Sequence, residues 1–204
     1  MVLLATVALL GFGTLLMGEL SRNPDTVPTL ISTALTVATV TGTGLGLLFA
    51  VAAPHILKDL SPIGSNPATV LLFASGVGLT ALGLVLDQAV LGLLLGHLQF
   101  WRNVTFSVAK LACLFAAGLW FTEKIWWVLY LAWAIGNLIS LLLLMVMHRA
   151  SGHGYVGLAA YRPRWNILRA LARSALGHHG LNLALQAPLL ARPVVVTSTL
   201  CAYT

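Results

Sequence analysis

The sequence predicts an all-α, multi-spanning membrane protein, and three observations carry that expectation. The chain of 204 residues is 59% hydrophobic and only 8% charged, with a mean hydropathy of +0.95, whereas soluble domains carry about 25% charged residues. Apolar runs follow one another with short polar breaks, and at about 20 residues per crossing there is room for about six. The runs also lack the apolar–polar alternation of barrel strands. In lipid a spanning segment must satisfy its own backbone groups, so helices remain.

The first apolar segment covers residues 1–19 and has no Lys or Arg before it, so it lacks the basic start of a signal peptide. Arg22 follows it, which places the N-terminus outside, an arrangement most simply explained by a helix preceding this chain. SRNPDTVP, residues 21–28, reads as a turn. A second helix is expected from about Thr29 to Ala53, with Gly42, Gly44 and Gly46 as small residues for close helix packing. Pro54 to Asn66 reads as a loop.

A third helix is expected from Pro67 to Gly96, long enough to tilt or bend, with Gly92 and Gly96 forming a GxxxG pair. GHLQFWRN then reads as a turn with Trp101 at the interface, and a fourth helix runs from about Val104 to Phe121. After a turn at Thr122–Lys124, a fifth covers Ile125 to Met147. Residues 148–176 hold five of the eleven basic residues and no acid. After Pro163 they form an amphipathic pattern, with Trp165 on the apolar face and Arg169 and Arg173 on another, suited to a membrane surface. A sixth apolar segment, about Gly177 to Leu200, is interrupted by Asn182, Gln186, Pro188, Arg192 and Pro193.

The net charge of +6 would suggest nucleic acid in a soluble protein. Here the charge is one-sided. One set of loops holds Arg22, Arg102, Arg149, Arg162, Arg164, Arg169 and Arg173, the other only Lys58 and Lys124, and the richer set belongs to the cytoplasm. No nucleic-acid partner is expected. The orientation is testable with Ser65→Cys or Ser151→Cys in a chain carrying Cys113→Ala and Cys201→Ala. An impermeant thiol reagent should label position 65 and not 151 in intact cells; the reverse would overturn the orientation.

Charged groups within a bilayer face a cavity or a partner. Arg192, near mid-membrane, reads either as a contact for an anionic substrate or as a residue that snorkels or pairs with another helix. Asn182 and Gln186, one helical turn apart, suit sugar hydroxyls or a neighbouring helix. Arg102 is a further candidate substrate contact, and Arg164, Arg169, Arg173 and Trp165 are candidate lipid or head-group contacts. With the turn taken at residues 97–102 of this stretch, Asp87 lies ten residues before it and Lys110 eight after, each roughly 12–15 Å away, so an intramembrane pair is expected, either a staple or a coupling pair. His178 and His179 diverge on a helix and lack a third ligand, so neither a metal nor another cofactor is expected. The five acids are scattered over both faces, and no catalytic motif is present, so no enzyme is expected.

Three runs, LDQAVLGLLLGHLQFWRNVTFSVAKLACLF, WAIGNLISLLLLMV and ARSALGHHGLNLALQAPLLARPVVVTSTLCAY, resemble bacterial oligosaccharide flippases. These are polysaccharide exporters of the multidrug/oligosaccharidyl-lipid/polysaccharide superfamily. The resemblance runs from Gly11 onward and implies two lobes of about six helices around a central cavity that alternates between leaflets. It implies a first lobe without its first helix in residues 1–148, a cytoplasmic basic linker in 149–176 and the opening helix of a second lobe in 177–204. The substrate implied is a lipid-linked sugar in the cytoplasmic membrane, and the remainder of the transporter is an implied partner. Two alternatives stay open: a non-transporting fragment or accessory subunit, and a membrane transferase acting on a prenyl-linked substrate.

Overall fold

In the computed structural model the described residues are 1–9, 16–18, 20, 27–56, 61–64, 66–120 and 126–150. They are helical, with no strand among them. The helices are α1 (Val2–Ala8), α2 (Val27–Ile56), α3 (Ser61–Gly64), α4 (Pro67–Gly92), α5 (Gly96–Trp120) and α6 (Trp126–Ala150). Three stretches are long and apolar enough to cross a membrane: Val27–His55, Pro67–Gly92 and Trp127–Met147. The described part of the chain is helical and fits a membrane protein. Leu48, Leu71, Phe115 and Val146 are large, apolar and exposed, the side chains that acyl chains would cover.

α4 is the hub and packs against every other helix. It starts where the sequence predicts: Asn66 caps it by accepting the Ala68 N–H at 3.0 Å, and Pro67 takes the first helical position. Its most extensive partner is α2, and glycines explain how closely the two approach. A Cβ on Gly42 would stand 2.9 Å from Ala81 Cβ and 3.3 Å from Gly78 Cα. One turn on, a Cβ on Gly46 would stand 2.9 Å from Ala74 Cα. Gly44 points the other way and meets nothing within 4 Å. Two of the three expected packing glycines therefore serve that role.

The main core lies between α1, α2 and α4, built from Ala5, Ala8, Ile31, Ala38, Val77, Ala81 and Val85 among others. Small side chains dominate because van der Waals contact, rather than escape from water, holds helices together in lipid. The Thr41 hydroxyl of α2 lies 2.9 Å from the Ala8 carbonyl, one of the groups left over at the end of α1. Phe73 joins α2 to α6, stacked on Phe49 at 5.7 Å and edge-on to Tyr130 at 5.5 Å.

Several boundaries differ from the sequence reading. α2 runs through Pro54 to Ile56, and the stretch read as a loop contains α3. The larger difference is the hairpin between α4 and α5. GHLQFWRN is not a turn but the first two turns of α5; the chain reverses at Leu93–Leu95. Leu94 has φ 60°, and two bonds close the helix end: Leu94 N–H to Leu91 O and Leu95 N–H to Val90 O, both 2.9 Å. This is the Schellman arrangement, in which glycine usually takes the left-handed position. The apolar contact that accompanies it is present, since Leu95 packs in a cluster with Val90, Leu98 and Leu144. Gly92 and Gly96 thus lie on different helices and form no GxxxG face.

A leucine in the left-handed region costs about 1–2 kcal/mol, and Leu94 is 91% exposed, so it regains little by packing. Leu94→Gly is expected to stabilise the protein by about 1 kcal/mol, read as a higher unfolding midpoint in detergent. An unchanged or lower midpoint would show that the turn is not strained.

Candidate functional site

A polar seam runs where α4, α5 and α6 meet. Asp87 on α4 and Arg102 on α5 are 6% and 5% exposed. Arg102 Nε donates to Asp87 Oδ1 at 2.7 Å while Nη2 donates to Oδ2, a two-pronged ion pair. Nη2 also donates to Asn103 Oδ1 at 3.0 Å. Gly83 makes room for the third nitrogen: a Cβ there would stand 2.7 Å from Arg102 Nη1 and 3.6 Å from Asn137 Oδ1. The absent side chain thus leaves a bed on α4 for the guanidinium.

The seam continues along α6. Asn137, 4% exposed, donates from Nδ2 to the Trp133 carbonyl at 3.1 Å. Trp133 Nε1–H donates to the Thr80 hydroxyl at 2.9 Å, and that hydroxyl donates to Gly76 O at 2.7 Å. Ser140, fully buried, closes on the Asn137 carbonyl at 2.8 Å. Phe106 lies edge-on to Trp133, with centroids 5.2 Å apart, against the bare backbone of Gly136. Lys110 holds its ammonium 5.1 Å from the Phe106 ring centre and 4.9 Å from that of Trp133, a cation held by two ring faces.

The expected pairing of Asp87 with Lys110 is therefore replaced by Asp87 with Arg102, and the cause is the position of the turn. With the reversal at Leu94, Asp87 lies seven residues before it and Arg102 eight after, a similar depth of about 10–12 Å. Lys110 lies sixteen residues after it, about 24 Å along α5. Arg102 is correspondingly neither a loop residue nor open to a substrate, because its side chain is buried and committed to Asp87. Arg102 therefore leaves the loop count, and so does Arg149, which lies within α6.

His97 is exposed on the first turn of α5. Gln88, beside Asp87, has a buried Oε1 with no hydrogen-bond partner among the described residues. Arg164, Trp165, Arg169, Arg173, His178, His179, Asn182, Gln186 and Arg192 lie outside the described residues. Thr80, Gly83, Trp133 and Asn137 belong to the seam and went unread in the sequence. An amide in the middle of an apolar run, as Asn137 is, was the available signal.

No known protein family, characterised protein or solved structure matches this chain.

Proposed function

We propose that the protein flips a lipid-linked oligosaccharide or polysaccharide precursor across the cytoplasmic membrane by alternating access. The observation that carries this reading is the buried Asp87–Arg102 pair at the junction of three helices in an otherwise apolar bundle. Charges inside a bilayer are expensive to insert, about 2.5–3.5 kcal/mol each at the centre on insertion scales, and recur where a pathway or a moving joint needs them. The packing supports a joint. α2 and α4 are locked together through glycines, and α5 packs mainly on α6 and meets α4 at the Asp87–Arg102 pair, while α6 also bonds α4 through Trp133 and Thr80. A rocking motion of α5 and α6 against α2 and α4 would open the ion pair and close it again.

In this reading residues 1–148 build one membrane lobe, 149–176 form a basic cytoplasmic linker and 177–204 open a second lobe, with about six crossings in all. Arg192, Asn182 and Gln186 contact the substrate head group, Arg164, Arg169, Arg173 and Trp165 contact lipid, and no catalytic step or cofactor is involved. The near-complete burial of the pair favours a second reading, in which Asp87 and Arg102 staple the hairpin of a non-transporting membrane subunit. Reconstitution of the whole chain in liposomes with a fluorescent lipid-linked disaccharide separates the two. Transport predicts that dithionite bleaches the inner-leaflet probe as well as the outer. Bleaching confined to the outer leaflet, as in protein-free liposomes, would overturn transport and leave the staple.

A further inference from the structure

We propose that the outer face of α5 docks an anionic, polyhydroxylated lipid head group, with Lys110 as its anion contact. The inference rests on the transport reading and adds a second head-group surface, on α5, to the contacts assigned to Arg192, Asn182 and Gln186. Gln99, Asn103, Ser107 and Lys110 follow one another at spacings of four, four and three residues, so they share one face of the helix. The first three line an open groove of about 590 Å³, flanked by Phe100 and Val104. α5 is not one of the three stretches apolar enough to span by itself, and the transport reading sets it in the bilayer beside them. There, amides and a hydroxyl facing acyl chains would leave hydrogen bonds unmade. The groove is therefore matched to an occupant that supplies donors and acceptors. Asn103 already uses its amide oxygen to accept from Arg102, which leaves its NH₂ group for that occupant.

Charge selects the occupant further. Lys110 has no carboxylate partner among the described residues, because the one acid among them, Asp87, is held by Arg102. The two rings steady the ammonium without neutralising it. A compact cation with three donors suits phosphate oxygens. From Gln99 to Lys110 is eleven residues, about 16 Å along the axis, room for a phosphorylated sugar of more than one ring. The adjoining face of α5 carries Trp101, Val108, Leu111 and Phe115, all exposed. An apolar face beside the polar stripe commits the occupant to an amphiphile, its tail lying along those side chains.

The test uses Ser107→Cys in a chain carrying Cys113→Ala and Cys201→Ala, held in phosphatidylcholine nanodiscs. Maleimide labelling of position 107 is timed alone, with a prenyl-diphosphate-linked disaccharide, and with inorganic pyrophosphate. The lipid-linked sugar should slow labelling at least tenfold, pyrophosphate at the same concentration should not, and Lys110→Gln should abolish the protection while Lys110→Arg retains it. Equal protection by pyrophosphate would make this a site for a soluble anion and overturn the lipid assignment. Protection that survives Lys110→Gln, or no protection at all, would overturn the site. So would a position 107 that is unreactive in phosphatidylcholine alone, or that forms a disulfide with a second copy, since protein then covers the face. Labelling reads binding and not movement. Protection without flipping overturns only the transport reading, and flipping without protection overturns only the docking site.

Discussion

Arg102→Met is expected to destabilise the protein by about 3–5 kcal/mol, the cost of leaving one charge of a buried pair without its partner. Asp87 is 6% exposed, and Arg102 supplies both of the hydrogen bonds shown for its carboxylate. With methionine in place, Asp87 must either take up a proton or draw water into the seam, and both routes loosen α5 from α4. Arg102→Lys should recover only part of the loss. An ammonium cannot reproduce two parallel bonds, and it would abandon the Asn103 contact as well. Unfolding midpoints in detergent order the three proteins: parent most stable, Lys next, Met last. A methionine variant as stable as the parent would show that the pair contributes nothing.

Gly46→Leu is expected to cost about 3 kcal/mol, near the top of the range for overpacking. The first added carbon would already stand 2.9 Å from Ala74 Cα and 3.0 Å from Val77 Cβ. The nearest obstacle is backbone and cannot rotate aside, so α2 would have to move off α4. Gly44→Leu is the internal control. It lies two residues away on the same helix and meets nothing within 4 Å, and it replaces a poor helix former with a good one. Little or no loss is expected there. Equal losses at both positions would mean that the two helices do not meet along Gly42 and Gly46.

The parts of this fold that were legible in the sequence are those with local causes. Asn66 and Pro67 mark the start of α4 because capping chemistry and a fixed φ act within two or three residues. Gly42 and Gly46 announce a close approach because a missing side chain has few other uses within a span. The α4–α5 turn was not legible, for an equally physical reason. Leu93, Leu94 and Leu95 contain no glycine, proline or polar residue, and the left-handed conformation at Leu94 goes with the packing of its neighbour Leu95 against Val90, Leu98 and Leu144. The polar GHLQFWRN looked like a loop, yet Arg102 is polar because α5 needs it inside.

That single displacement of the turn carried the ion-pair error with it. Lys110 matches Asp87 in depth only with the reversal at residues 97–102. The rest of the seam was hidden because Thr80, Gly83, Trp133 and Asn137 come together only once α4 and α6 are packed. No spacing within one helix encodes a bond such as that from Trp133 to Thr80, 53 residues apart.

The central claim is that the hairpin closes on Asp87 and Arg102, and two double-mutant cycles measure it most directly. Asp87→Asn would be combined with Arg102→Met in one and with Lys110→Met in the other, and unfolding free energies compared in the same detergent. Contacting charges couple by about 0.5–3 kcal/mol, while separated residues add within about 0.5 kcal/mol. The predicted result is a coupling of about 2–3 kcal/mol for Asp87 with Arg102 and none beyond additivity for Asp87 with Lys110. Additive effects at Asp87 and Arg102, with coupling at Asp87 and Lys110, would contradict the account and return the turn to residues 97–102.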